Sequence, residues 1–332
     1  MNNTIALAIP LFAFILIGFG AGAVGGRWVP TERRDLVWLN IFVVYFAIPA
    51  LIFRLISRAP IENLVNWGFI AGTTLTTYIV FLLMLVVATS VGRARLSVAS
   101  LQAASASYGN VGYMGIPLAV AVFGTAGAIP ATLILCFDSA LLFILVPLLV
   151  GVSNPTEGMG RALLGAAKAI ALNPLIISLV LGIVANIGGV SLTGPLGAVI
   201  DRTLLQLGNA AAPAALFGIG ITIAKQYSTR SPIHWEVFII ALIKLIVHPI
   251  LLVAILAMLG DFDSTWISVA ILLASLPTAA NVYVMALQAD TYVEGTSNAI
   301  LVSTTLSLFT LPVLMILMAE GYLPYDFFAL FR

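Results

Sequence analysis

Ser107-Tyr108-Gly109-Asn110-Val111-Gly112-Tyr113-Met114-Gly115-Ile116-Pro117 decides how the rest of the chain is read. Apolar sequence flanks it on both sides. Gly109, Gly112 and Gly115 weaken a helix, and Pro117 removes a backbone donor and clashes with the preceding turn. A long apolar helix must therefore break here. Ala274-Ser275-Leu276-Pro277-Thr278-Ala279-Ala280-Asn281 repeats the situation, with Pro277 as the breaker. In lipid, backbone groups freed by a break must be satisfied by protein or by a water-filled cavity. Matching interruptions in two halves of a membrane chain point to a substrate site.

The composition agrees with a membrane setting. Of 332 residues, 61% are hydrophobic and 8% charged, with 14 basic and 13 acidic residues. A soluble domain of this length would carry roughly 80 charges. This excludes an ordinary soluble protein, and a net charge of +1 argues against a nucleic-acid partner. One cysteine, Cys136, allows neither an intrachain disulfide nor a thiolate zinc site, and no metal site is expected.

A span needs about 20 mainly apolar residues. That rule gives ten helices: Thr4–Val24, Asp35–Ser57, Trp67–Val91, Leu96–Phe123, Ala128–Val150, Leu163–Ile187, Leu196–Ala224, Trp235–Leu259, Ser264–Leu287 and Gly295–Ala319. The first is read as retained rather than as a signal peptide. Ala21-Gly22-Ala23 resembles a cleavage site, but no Lys or Arg precedes the apolar run. With the N-terminus outside, the inner loops hold Arg27, Arg33, Arg34, Arg93, Arg95, Arg161, Lys168, Lys225 and Arg230. Arg54, Arg58, Arg202 and Arg332 fall outside, which predicts both termini extracytoplasmic.

The chain is written twice. Pro10-Leu11 and Gly18 recur as Pro174-Leu175 and Gly182, 164 residues later. Pro49-Ala50-Leu51-Ile52-Phe53 recurs as Pro213-Ala214-Ala215-Leu216-Phe217 at the same offset. Trp67 and Gly92 recur as Trp235 and Gly260, Asn110-Val111-x-x-Met114 as Asn281-Val282-x-x-Met285, and Pro147 as Pro312. The reading is an all-α polytopic membrane protein of two five-helix repeats, residues 1–151 and 161–320. An odd number of spans inverts the second copy, the architecture of alternating-access carriers.

A broken helix presents N–H groups and partial positive charge at its half-helix N-terminus, which suits a carboxylate. Asn110 and Asn281 add amide donors without the desolvation cost of a buried charge. The bland alternative is that they mend their own kinks. Tyr113 and Tyr283 either close over a ligand or anchor packing. Ser105, Ser107 and Gln102 form a polar face that lines a path or permits close packing.

Asn173-Pro174-Leu175-Ile176-Ile177, Lys244 with His248-Pro249, and Pro277-Thr278-Ala279-Ala280-Asn281-Val282-Tyr283-Val284-Met285-Ala286 resemble the bacterial auxin efflux carrier family, a likeness that covers the whole chain. The resemblance implies a fold related to bile-acid sodium symporters. Helices one, two, six and seven would form a scaffold; three to five and eight to ten would form a moving transport domain with the fourth and ninth crossing. It implies transport of small organic anions, auxin-like monocarboxylates or malonate-like dicarboxylates, and a homodimer. By position, Asn110 and Asn281 match the crossover asparagines, with Met114, Pro277 and Thr278 beside them. Pro49 and Pro213 match the scaffold prolines, which makes Leu51 and Phe217 lining residues. The acidic residue of the plant carriers' third helix is absent; Thr73-Thr74-Leu75-Thr76-Thr77 stands there.

Intramembrane charges are functional candidates. Asp138 lies midway along the fifth helix, and Lys244 and His248 share one face of the eighth at i,i+4. An Asp138–Lys244 pair is expected, either as a structural lock or as a proton-coupled switch. No acidic residue lies between Leu96 and Phe123 or between Ser264 and Ala289, so sodium coupling is less expected than proton coupling, and no cofactor is expected. A zinc-protease helix motif, a nucleophile elbow and a carboxylate dyad are all missing, so the chain does not read as an enzyme. An anion channel or a membrane sensor is the alternative to a carrier in an inner membrane.

Overall fold

The computed structural model describes residues 2–28, 35–60, 66–153, 164–165, 167–168, 170–190, 194–228 and 232–319. Arg33, Arg34, Asn154, Pro155, Arg161, Arg230 and Arg332, and with them much of the charge count behind the orientation, lie outside the described residues. Among the described residues the secondary structure is helical, apart from one isolated antiparallel bridge, Gly109 to Thr278. Among the described residues six helices are long and apolar enough to cross a membrane: Val37–Ile56, Trp67–Ser90, Val111–Ser153, Gly194–Lys225, Trp235–Leu259 and Val293–Met318. Ala13–Gly25, Pro174–Ile187 and Ser264–Ala274 are shorter apolar helices.

The 43-residue stretch Val111–Ser153 contains the boundary between the expected fourth and fifth helices. The helix Ile116–Phe123 ends at Gly124, whose φ is +65°, and a short 3-10 turn over Gly124–Gly127 leads into Ala128–Ala140. Only glycine adopts that φ without strain.

Four helices widen into π-helical turns: Phe42–Ala47, Val111–Gly115, Leu141–Leu145 and Ile243–Val247. Each is followed two residues later by a proline, respectively Pro49, Pro117, Pro147 and Pro249. A proline inside a helix lacks an N–H and its ring clashes with the carbonyl four residues back. Opening that turn by one residue moves the carbonyl away, which gives each π turn a local cause.

The chain divides into two compact units. The first comprises Met1–Asn66, Gly112–Leu133 and Leu172–Thr229. In it, Asn2–Trp28 packs along Gly194–Ser228, and Pro174–Ile187 packs along Ile48–Ile56. Both contacts rest on a glycine. A methyl group at Gly18 would collide with the carbonyl of Phe217, and one at Gly182 would meet Ile56 at 2.9 Å and the carbonyl of Phe53 at 3.4 Å. Gly18 and Gly182 are 164 residues apart in sequence, and so are Phe53 and Phe217. The 164-residue offset therefore has a counterpart in packing: each of these glycines seats its helix against a neighbouring helix. Small residues at such seams let backbones approach where lipid supplies no hydrophobic drive. At one end of this unit Asp201 pairs with Arg54 at 2.7 Å and with Arg58, and Asn186 donates to the carbonyls of Ile56 (2.8 Å) and Ala59 (2.7 Å).

The second unit comprises Trp67–Val111, Ile134–Ala171 and Arg230–Arg332. Its core gathers Val80, Phe81, Met84, Leu101, Tyr108, Leu142, Val237, Ile240, Val282 and Ala299. The same interior carries buried Thr73, Thr77, Ser105, Asp138, Ser139, Lys244, His248, Thr278 and Ser303. Large apolar side chains face outward in both units: Leu16, Ile17 and Val184 in the first, Leu82, Val86 and Phe309 in the second. A polar-seeded interior with an apolar exterior suits hydrocarbon surroundings.

Candidate functional site

The two breaks meet in the second unit. The helix Leu96–Ser107 ends at Tyr108, which turns to extended backbone (φ −85°, ψ 109°). The helix Ser264–Ala274 ends at Ser275, and helix resumes at Ala280. Between these ends the strands of broken backbone satisfy each other. Asn110 N–H donates to the Pro277 carbonyl at 2.9 Å, and Ala279 N–H donates to the Tyr108 carbonyl at 3.1 Å. Side chains complete the join: Thr278 Oγ1 donates to the Ser105 carbonyl at 2.7 Å, and Ser303 Oγ accepts from Thr278 N–H at 3.1 Å. These bonds replace those that the helices give up, which lipid could not supply.

The break lies at Tyr108–Asn110, ahead of Pro117. Pro117 stands two residues past the π turn Val111–Gly115, whose widened backbone accommodates its ring and missing N–H. Gly109 is required by closeness: a Cβ there would stand 3.2 Å from both the Leu273 carbonyl and Lys244 Nζ.

Asn110 follows the bridge residue directly and is half-buried. Asn281 is the second residue of Ala280–Gln288, a half-helix with no side-chain cap, and it too is half-buried. Its amide lies within hydrogen-bonding reach of the Tyr108 hydroxyl, which contacts Ser139 Oγ at 3.1 Å. Both asparagines thus flank the crossing and are half-buried. Pro277 and Thr278 are buried in the crossing itself, and Tyr283 is half-buried one turn further along. Gly112, Tyr113, Met114 and Gly115 lie in the π turn after the break, with Met114 buried and Tyr113 half-buried. Leu51, Phe217, Pro49 and Pro213 belong to the first unit, where Leu51 packs against Gly208.

The expected Asp138–Lys244 ion pair does not form within 4.0 Å. Lys244 Nζ donates to the carbonyl of Ala274 at 2.6 Å and lies 3.0 Å from His248 Nδ1. Ala274 ends its half-helix, so the lysine caps an orphan carbonyl at the negative end of the helix dipole, a stronger local demand than a distant carboxylate. Asp138 is 3% exposed, with Thr77 beside it and its Oδ1 without a hydrogen-bond partner. The Ser105 and Ser107 hydroxyls return to their own helix, on the carbonyls of Leu101 and Ala103, as packing residues do. Sequence reading overlooked Tyr108, Ser303 and the Ala274 carbonyl. Of these only Tyr108 leaves a trace in sequence, a lone tyrosine at the edge of a glycine break.

This geometry can be set beside known proteins. The chain matches the family described as "Membrane transport protein" over residues 4–163 and 161–315. It belongs to that auxin efflux carrier-like family. The membrane transport family consists of transporters rather than enzymes. Within it, the chain is 37% identical over 329 residues to a Rhizobium meliloti (strain 1021) protein named "Putative malonate transporter", covering 99% of this chain and all of that one. It is 26% identical over 287 residues to an "Uncharacterized transporter" of Methanothermobacter thermautotrophicus, covering 85% of this chain and 88% of that one.

Proposed function

We propose that this transporter is a secondary carrier of a small organic anion, with a malonate-like dicarboxylate as the first candidate. The crossing of the two broken segments, with Asn110 and Asn281 flanking it, carries the proposal. An uncapped half-helix N-terminus next to two amides offers N–H donors to a carboxylate without any fixed cation. The full-length similarity to the Rhizobium protein supports malonate over an auxin-like acid.

The paired glycine seams Gly18–Phe217 and Gly182–Phe53 support a ten-span chain of two inverted repeats. The carrier works by alternating access of the elevator type, as a homodimer in the inner membrane with both termini outside. Tyr283, in the second unit, lines the anion's path beside Asn281.

Reconstituted protein tests this. Vesicles preloaded with unlabelled malonate should accumulate labelled malonate transiently above equilibrium, because a carrier exchanges one for the other. A channel or a sensor gives no such overshoot, and its absence would overturn the carrier reading.

A further inference from the structure

Asp138 faces a small cavity of about 10 Å³, the least space that one water needs, lined by Thr73, Thr77, Gly109, His248 and Ala274 among others. Its Oδ1 has no hydrogen-bond partner, although an orphaned carboxylate oxygen is among the costliest groups to bury. The groups facing it come from every neighbouring element. Thr77 and Tyr78 come from Trp67–Ser90, Tyr108 from the first break, Cys136 and Ser139 from its own helix, and Lys244 and His248 from Trp235–Leu259. Lys244 is the one cationic side chain among them.

Two sets of contacts lie between this cavity and the crossing. Lys244 holds the Ala274 carbonyl at the end of one half-helix and lies against Gly109 in the other break. Ser139, next to Asp138 in sequence, contacts the Tyr108 hydroxyl, and Asn281 reaches the same hydroxyl. Asp138 and Asn281 thus both lie next to the Tyr108–Ser139 contact.

We propose that Asp138 and one water in this cavity form a proton site, and that a proton travels with each anion the carrier moves. The proposal rests on the anion-carrier reading. With Lys244 protonated and Asp138 ionised, the cluster is neutral. A proton from bulk water forms an O–H bond at Asp138 Oδ1, which can then donate to the cavity water. The cluster gains one positive charge, which the arriving carboxylate at Asn110 and Asn281 offsets. On the far side the anion leaves, the O–H bond breaks and the proton returns to water. Nothing is oxidised or reduced. Moving the two together lowers the charge carried through low dielectric, leaving a malonate dianion with one net negative charge in place of two. With Lys244 held at the half-helix end, the same cavity is a poor place for a metal cation.

The test uses the full-length protein in sealed vesicles containing a trapped pH dye, with protein-free vesicles as the control. An inward malonate gradient at mildly alkaline pH should acidify the lumen, with about one proton entering per malonate beyond the control. Asp138→Asn should bring that ratio to zero, and Asp138→Glu should restore part of it. Lys244→Met, which removes the balancing cation, should lower the ratio several-fold. Malonate counterflow without acidification in the wild type would overturn the coupling and leave the carrier reading standing. Absence of malonate counterflow would overturn both. The wild-type ratio alone decides the matter where a variant fails to fold.

Discussion

The backbone N–H of Asn110 donates to the carbonyl of Pro277 across 2.9 Å, joining two segments more than 160 residues apart. One residue past Pro277, Thr278 reaches back to the Ser105 carbonyl. Broken backbone in a membrane chain needs protein partners for its freed groups, and the breaks supply them by pairing with each other.

The Thr278 hydroxyl is therefore a structural clamp. Thr278→Val keeps the shape and removes the donor, leaving the Ser105 carbonyl short of a partner. The expected loss is about 1–3 kcal/mol, the cost of a buried unsatisfied acceptor. Thermal unfolding of the detergent-solubilised protein should show a lower Tm for Thr278→Val, with Thr278→Ser near the wild type. Equal midpoints for all three would remove the clamp.

Gly18 seats one helix of the first unit directly on the backbone of Phe217. Gly18→Leu cannot be absorbed by a side-chain rotation, since the collision is with a carbonyl. Overpacking of this sort costs about 1–3 kcal/mol, so Tm should fall clearly. Gly20→Leu, where a Cβ would meet nothing within 4 Å, should leave the Tm unchanged.

Asp201 sits between Arg54 and Arg58. The side chains of Arg54 and Asp201 are 19% and 24% exposed, so the pairing is partly screened by solvent. Asp201→Ala leaves two like charges facing each other and should lower Tm. The drop should shrink in high salt, where the Debye length is about 3 Å at 1 M. A drop independent of salt would mean that packing, not charge, is what Asp201 supplies.

Pro249 sets the π turn that precedes it, and that turn fixes the register of Lys244 against Ala274. Pro249→Ala allows a regular helix over 243–249 and should not lower Tm, since proline in a helix interior is unfavourable by about 3 kcal/mol. Malonate uptake should nevertheless fall several-fold, as Lys244 rotates off the half-helix end. Full uptake in this variant would show that the lysine's register does not matter.

Much of this was legible in the sequence, for identifiable reasons. Glycine and proline act locally, so Gly109 and Pro277 announce breaks without any knowledge of their partners. The pairing of those breaks was not legible, because a hydrogen bond from Asn110 to Pro277 depends on where the whole unit puts them. Pro117 drew the expected break toward itself, but a proline two residues past a π turn is tolerated where the helix restarts. That spacing recurs at Pro49, Pro147 and Pro249 and is the signal that reading by helical period passes over. Lys244 shows the same limit: the sequence offered Asp138 as its obvious partner, and the structure gives it a backbone carbonyl that carries no mark in the sequence.

The most direct test of the account is the affinity of the purified protein for malonate, measured by isothermal titration in the wild type and in Asn281→Ala. Loss of one charge-assisted hydrogen bond is worth about 1.5–3 kcal/mol. Asn281→Ala should therefore bind malonate at least tenfold more weakly, with a Tm in the absence of malonate close to that of the wild type. Malonate binding of unchanged affinity in Asn281→Ala would contradict the assignment of the crossing as the anion site.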